Sequence, residues 1–366
     1  MINVKEFLDI FINNNMFFFT GVPDSLLKDF CAFITDNIDE KNHIIAPNEG
    51  NAVALACGHY LATGNPGVVY MQNSGIGNAV NPIISLIDED VYKIPVVFVI
   101  GWRGEPGTKD EPQHKKQGKI TLKLLELLGI DYIILEEKNY KKELQNLIEY
   151  SKKNLKPVAV IIKKNSFEIY KLQKVQNTNY LLNRERAIKI IIDNIEENSL
   201  IISTTGKTSR ELFEYREEKG QNHSKDFLTV GSMGHSSSIA IGIAKSKRDK
   251  KVYCIDGDGA VLMHMGVLTI FGKNKLSNFC HIVINNGVHD SVGGQQTVAF
   301  NIDLKQIAQG AGYNNVFSVE NEGEIKNAIK ENADFIEIKV NKGARKDLGR
   351  PTKTPIENKE SFMGNF

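Results

Sequence analysis

Four short stretches carry residue types whose spacing could do chemistry. The first, Ser203-Thr204-Thr205-Gly206-Lys207-Thr208-Ser209, follows the apolar run Leu200–Ile202 and ends like a phosphate-binding loop. A nucleoside-triphosphatase loop needs its first glycine at position 201, where a β-branched isoleucine stands. Triphosphatase chemistry is therefore set aside, but a polar turn opening a helix still suits a phosphate. The second stretch is Asp256-Gly257-Asp258-Gly259, closing the apolar run that starts at Val252. The third, the strand-like His281–Asn285, runs into Asn286 and then Gly287-Val288-His289-Asp290. A carboxylate at Asp258, an amide at Asn286 and a backbone carbonyl near Val288 form an oxygen set suited to Mg2+ that also holds a phosphate. Taken alone, Asp258 is equally a helix-capping residue in a tight turn. The fourth stretch spans 101–118, with Arg103, Lys109, His114, Lys115 and Lys116. Arginine offers a planar fork to a tetrahedral anion, and histidine shuttles protons near neutral pH. The same run also reads as a solvated basic surface loop.

Elements must hold these residues at a common edge. Helical periodicity covers about 4–15, 51–62, 120–128 and 141–151. Strands are expected at Phe17–Phe19, His43–Ile45, Gly67–Met71, Pro95–Ile100, Tyr132–Leu135 and Pro157–Ile162. Residues 164–183 are polar and break the pattern. A second alternating set follows, with strands at Leu200–Ser203, Val252–Asp256, Cys280–Asn285 and Phe335–Lys339. Its helices are expected at about 236–245, 261–271 and 322–331. Alternation of this kind implies α/β architecture with two doubly wound parallel sheets. The boundaries read as a first domain over 1–168, a linker over 169–182 and a second domain over 183–366. The basic tail at 343–355 is either frayed or an ordered active-site segment.

Bulk properties exclude other classes. The chain has 366 residues, 41% hydrophobic and 24% charged, with a formal net charge of +1. That balance argues against a nucleic-acid partner or a membrane surface. Four cysteines without CxxC spacing read as reduced core thiols. No secretion signal or membrane span is evident, so a cytoplasmic location is expected.

Together the motifs resemble the thiamine-diphosphate-dependent enzymes. Gly257-Asp258-Gly259 followed by Asn285-Asn286, each after a hydrophobic strand, is the signature of that family. The resemblance implies a pyrimidine-binding and a diphosphate-binding domain, here without a middle domain. It places Glu49, in Ala46-Pro47-Asn48-Glu49-Gly50, as the cofactor-activating glutamate, although such an acid also suits a solvated helix start. It makes Val230-Gly231-Ser232-Met233-Gly234 the loop that grips the cofactor rings, with Gly231 accepting from the aminopyrimidine and Met233 as the apolar wedge. Gly206, Thr208, Ser209, Gly257, Gly259 and Ala260 would complete the thiamine diphosphate site, and Asp258, Asn286 and Val288 would hold Mg2+.

Within the family the short plan resembles the phosphonopyruvate and sulfopyruvate decarboxylases. Carrying the likeness are Thr20–Ser25, 71–82, 101–118, 203–212, 287–297 and Arg345–Thr352. The first of these groups implies decarboxylation of 3-phosphonopyruvate in phosphonate biosynthesis, the second the sulfonate analogue. Glu49, Asp24 and His114 are then the expected catalytic residues. Ser25, Asn73, Ser74, Arg103, Lys109, His114, Lys207 and Arg350 are expected to line the substrate. Asp24 is equally explained as a helix cap, and His289 either faces the site or packs in its loop. The resemblance also implies a homodimer or larger homo-oligomer whose sites lie at the interface.

Overall fold

A computed structural model describes residues 1–175 and 177–366. It divides into two compact units. One is Met1–Val175 with Ser291–Gln295; the other is the described part of Gln176–Asp290 with Gln296–Phe366.

The first unit carries a six-stranded parallel sheet. Its strands are β1 (Phe19–Gly21), β2 (His43–Ile45), β3 (Gly67–Gln72), β4 (Val96–Gly101), β5 (Asp131–Ile134) and β6 (Val158–Ile162), in the order β2-β1-β3-β4-β6-β5. Side chains of the central strands alternate between two apolar layers. Val68, Tyr70, Val97, Val99, Val158 and Val160 pack with Phe7, Phe11 and Phe30. Val69, Met71, Val96, Phe98 and Ile161 pack with Ala52, Val53 and Ala56. Burial on both faces is why these strands read as unbroken hydrophobic runs.

The second unit repeats the plan with β7 (Leu200–Ser203), β8 (Asp226–Leu228), β9 (Val252–Gly257), β10 (Phe279–Asn285), β11 (Val316–Val319) and β12 (Phe335–Lys339). Its order is β11-β12-β10-β9-β7-β8, again parallel throughout. The expected α/β architecture of two parallel, doubly wound sheets is what the structure has.

Three expectations need correction. The strand placed at Phe17–Phe19 starts only at Phe19. Asn15 turns the chain in the left-handed region with φ 56°, and Phe17 stays 41% exposed before pairing begins. The helix placed at 261–271 starts earlier, at Asp258, and breaks after Met263; a tight turn over Met265–Val267 separates it from Leu268–Asn274. The structureless loop placed at 101–118 ends at Glu111. Pro112, well suited to a first helical turn, opens the helix Pro112–Leu127, which carries His114 and Lys115. The residues around the expected linker are anchored. Tyr170 N–H donates to Asp29, Gln173 and Lys174 N–H to Asp36, and Thr178 and Tyr180 bond Asn341. Gln176, within that linker, lies outside the described residues.

The tail is ordered. Thr354 and Glu357 form a reciprocal capping box for the helix Pro355–Met363. Asn358 exchanges side-chain hydrogen bonds with the backbone of Asp226 and Leu228. The helix so covers β8, an edge strand that would otherwise offer unpaired backbone groups.

Candidate active site

In the first unit the chemistry-bearing residues follow the carboxyl ends of β1, β2, β3 and β4, where open parallel sheets bind ligands. Glu49 opens the helix Glu49–Thr63, capped by the Asn48 side chain. It is 5% exposed, and its Oε2 accepts one hydrogen bond, from Asn78 Nδ2 at 2.8 Å. Burial pushes its carboxyl above the ordinary value, against the Asn78 bond. The turn after β3 crosses directly over it. A Cβ at Gly75 would lie 2.4 Å from Glu49 Oε1, so only glycine fits there.

Asp24 is fully buried after β1 and accepts from Gln72 Nε2 at 2.5 Å and from Leu26 N–H at 2.8 Å. Burial raises its pKa despite those bonds. Ser74 Oγ donates to Gln72 Oε1, so Ser74, Gln72 and Asp24 form one chain of hydrogen bonds.

Arg103, just beyond β4, is held by a residue that the sequence reading passed over. Asp110 accepts from Arg103 Nε at 2.8 Å and Nη2 at 2.5 Å, and also from the Gly104 and Glu111 N–H groups. Arg103 Nη1 donates to Ser25 Oγ at 2.8 Å. One N–H on each of Nη1 and Nη2 is left for a further acceptor. The Asp110 hydrogen bonds raise the Arg103 pKa. Burial opposes ionisation of Asp110, but Arg103 and Gly104 hold its pKa below the ordinary value.

Three expected roles in this unit change. Asn73 gives its amide protons to the Arg103 carbonyl and Thr121 Oγ1, and its Oδ1 accepts from Arg103 N–H. It fixes the loop rather than offering donors to substrate. Lys109 is exposed at the loop surface. His114 sits half-buried, and burial, then Arg103, push its pKa down to about 4. That shift favours a neutral ring at neutral pH, which suits a hydrogen-bonding or proton-accepting role.

In the second unit the candidates follow β7, β8, β9 and β10, again at carboxyl ends. Asp258 is 3% exposed at the start of its short helix. Its Oδ2 accepts from Thr297 Oγ1 at 2.5 Å, and the Asn286 and Gly259 N–H groups point at the carboxylate. Burial still lifts its pKa to about 6. A bound cation would offset that burial, which fits the oxygen donors gathered here. Asn286 Oδ1 accepts from Val288 N–H, and the Val288 carbonyl accepts from Asp290 N–H at 3.0 Å. Gly287, with φ 67°, makes the turn, and its carbonyl accepts from Thr297 N–H. His289 lies against Gly259, its pKa pushed down to about 4 by burial.

The turn Thr204–Gly206 feeds the helix Lys207–Glu218, with Gly206 at φ 88°. Thr208 is buried in its first turn, and Thr204 Oγ1 is buried without a partner. A helix N-terminus with an unpartnered hydroxyl beside it can receive a diphosphate. Ser209 departs from expectation, because its hydroxyl bonds Ser203 Oγ and the Thr204 carbonyl. It ties the turn together. Lys207 also departs: its Nζ donates to the Asp290 carbonyl at 2.9 Å and lies 3.6 Å from the Asp290 carboxylate. Asp290 is paired in turn with Arg184, which grips Glu211. This network anchors the loop after Asn286 and went unread in the sequence, since its members lie up to 106 residues apart. Ser232, with φ 55°, is exposed and Met233 half-buried in the loop after β8, and Gly231 precedes them. Thr205 Oγ1 donates to the Val230 carbonyl, joining that loop to the turn after β7. Gly257 and Ala260 flank Asp258. Arg350 lies exposed, far along the chain, between β12 and the last helix.

Comparison with known proteins identifies the family. Residues 6–126 match the thiamine pyrophosphate enzyme N-terminal TPP binding domain. Residues 204–338 match the C-terminal TPP binding domain. A phosphonopyruvate decarboxylase of Streptomyces viridochromogenes is 29% identical across 93% of this chain and 89% of that protein. A sulfopyruvate decarboxylase of Methanosarcina acetivorans is 26% identical across 84% and 82%. The sulfopyruvate decarboxylase subunit beta of Methanocaldococcus jannaschii is 36% identical across 39% of this chain and 76% of that subunit. The chain belongs to the thiamine pyrophosphate enzymes. Within them it is a thiamine-diphosphate-dependent keto-acid decarboxylase, a carboxy-lyase. Among the described residues no helix is long and apolar enough to cross a membrane.

Proposed function

We propose that the chain converts 3-phosphonopyruvate and a proton to phosphonoacetaldehyde and CO2, a step in making carbon–phosphorus compounds. The observation that carries the reading is the Arg103 guanidinium, pinned by Asp110 and Ser25 with two N–H groups left over. Such a fork suits a phosphonate, and its geometry is fixed before substrate arrives. Similarity to a phosphonopyruvate decarboxylase along nearly the whole of both chains supports the same substrate.

Thiamine diphosphate would supply the electron sink for the pair left when the carboxyl departs. The chain's own residues do the rest. Glu49, whose carboxyl burial pushes above its ordinary value, would hydrogen-bond a ring nitrogen of the pyrimidine and share a proton there. Asp258, Asn286 and the Val288 carbonyl would hold Mg2+ (a charge that suits the buried Asp258). The turn Thr204–Thr208 would hold the diphosphate, and Gly231 to Met233 would hold the rings. Asp24, buried and linked through Gln72 to Ser74, would pass a proton to the product carbon, a role its raised pKa supports. A homodimer or larger assembly completes the functional form, which sedimentation would test.

Release of CO2 and aldehyde is to be measured with phosphonopyruvate, sulfopyruvate and pyruvate side by side, with thiamine diphosphate and Mg2+. A clear preference for phosphonopyruvate supports the reading. A preference for sulfopyruvate keeps the cofactor roles and overturns the substrate.

A further inference from the structure

Away from the residues just described, the sheet of the second unit hides a group that the decarboxylation does not use. Cys254 on β9 and His281 on β10 are register partners across the parallel pair, and Asp256 lies two residues beyond Cys254 on the same face. All three are fully buried. His281 Nε2 and Asp256 Oδ2 are 3.4 Å apart, yet neither has a hydrogen-bond partner, and His281 Nδ1 has none either. Asp256 Oδ1 accepts only from the adjacent Gly257 N–H. The Tyr313 hydroxyl is buried and unpartnered as well, and the Tyr313 and His281 rings both pack on Phe335. The surrounding layer is apolar: Ala240, Ala244, Phe271 and Phe279.

Buried polar atoms are almost always paired, because an unpaired one forfeits its hydration without return. Four such atoms on three neighbouring side chains are hard to accommodate as a packing accident. A thiol, an imidazole and a carboxylate also form a specific donor set. Among the described residues it is the one group of three whose ligand atoms all lie within 4.8 Å of one another. Around a tetrahedral ion with bonds of roughly 2.0–2.3 Å, ligand atoms sit roughly 3.5 Å apart, so modest side-chain rotations close the set.

We propose that Cys254, Asp256 and His281 bind a Zn2+ ion inside the second unit, with the fourth position facing the Tyr313 hydroxyl. Soft sulfur with nitrogen and one carboxylate oxygen selects zinc over magnesium. Binding releases the Cys254 proton to solvent and takes the imidazole neutral and the carboxylate ionised, so three donors meet the dication with two negative charges. The ion ties β9 to β10 in the layer beneath the loops that carry Asp258 and Asn286. Its ligands are different from those proposed for Mg2+, and it does not depend on the substrate reading.

The test uses the full chain saturated with thiamine diphosphate and Mg2+, which fills the diphosphate site first. Zn2+ retained after desalting is counted by mass spectrometry, and Co2+ serves as a spectroscopic probe. The expected result is one Zn2+ per chain, a thiolate-to-cobalt band in the near ultraviolet, and a rise of several degrees in melting temperature on adding Zn2+. C254S should remove the band, and H281Q should weaken Co2+ binding at least tenfold. C280S, whose thiol lies in the opposite layer with Ile255 and Ile282, should keep the band. Should C254S fail to fold, X-ray absorption of the wild-type zinc protein decides through a sulfur scatterer. Zinc that washes off with Mg2+ present, or cobalt bound without sulfur, would overturn the proposal.

Discussion

Glu49 in the first unit and Asp258 in the second are both buried just past the carboxyl end of a strand, and the difference between them lies in what each carboxylate is given. Glu49 has a single side-chain donor, Asn78, and glycine backbone pressed against its other oxygen. Asp258 has Thr297 and two backbone N–H groups aimed at it. Burial raises both pKa values. With so few donors, Glu49 has room for one further partner, which suits an acid that would hydrogen-bond a heterocycle. With many donors and neighbouring amide and carbonyl oxygens, Asp258 favours ionisation once a cation arrives. Burial alone therefore does not assign a role; the donor set decides it.

Substitution breaks this comparison most strongly at Glu49. E49Q keeps the shape and removes the titrating proton, and kcat should fall roughly a hundredfold to ten-thousandfold. Melting temperature should hold or rise slightly, since a buried acid is replaced by a neutral amide. Near-normal turnover in steady-state assays would remove Glu49 from the chemistry. The counterpart in the second unit is D258N. It should abolish Mg2+-dependent retention of thiamine diphosphate, read by quenching of Trp102 fluorescence or by desalting and cofactor assay. Chelation of the wild type should mimic D258N and leave E49Q's cofactor binding sensitive to metal as before. If D258N binds cofactor with unchanged metal dependence, Asp258 is no metal ligand.

How much of this was legible in the sequence differs between the units in the same way. Positions tied to a strand end were readable, because Asp258 and Asn286 each close a run of buried apolar residues, and a parallel sheet brings such ends together. Glu49 needed the family resemblance, since a lone acid at a helix start has an ordinary explanation. Residues that act through long-range pairing were invisible. Asp110 sits seven residues past Arg103 in a run that read as a basic loop. Lys207 looked like an anion binder until Asp290 was seen to occupy it, along with Arg184. His114 looked like a shuttle because its helix was read as loop, and burial sets its pKa. Short elements with one charged end, such as β8 with Asp226 held by Arg216, carry too little apolar pattern to be seen.

The substrate fork sharpens the comparison from the side of the first unit. R103K retains charge but loses the planar pairing with Asp110, so KM for phosphonopyruvate should rise roughly tenfold to a hundredfold, as for loss of one charged hydrogen bond. D110N should raise KM less, with kcat nearly unchanged, because the guanidinium remains but swings. S25A should act in the same direction by about fivefold, the loss of one ordinary hydrogen bond. None of the three should alter thiamine diphosphate or Mg2+ binding, for which the proposed ligands are other residues. A change in cofactor affinity in R103K would place the guanidinium on the diphosphate rather than the substrate.

The smallest expected effect is on pH dependence, and it isolates His114. Its pKa is depressed to about 4 by burial and by Arg103, from an ordinary value near 6.5. The folded state thus binds fewer protons than the unfolded chain between those values. Stability from this group is present above about pH 6.5 and drains away as pH falls toward 4. The half-buried ring is partly screened by solvent, so the effect is a modest slope. H114Q, which cannot take a proton, should flatten that part of the melting-temperature profile. Activity should follow a different course. With the ring neutral across the working range, kcat/KM in the wild type should show no limb near pH 6.5 that disappears in H114Q. A limb that does disappear would mean the imidazolium forms in the working enzyme and donates a proton beside Arg103. The first unit would then add His114 to Asp24 and Glu49 as groups that hold or pass a proton.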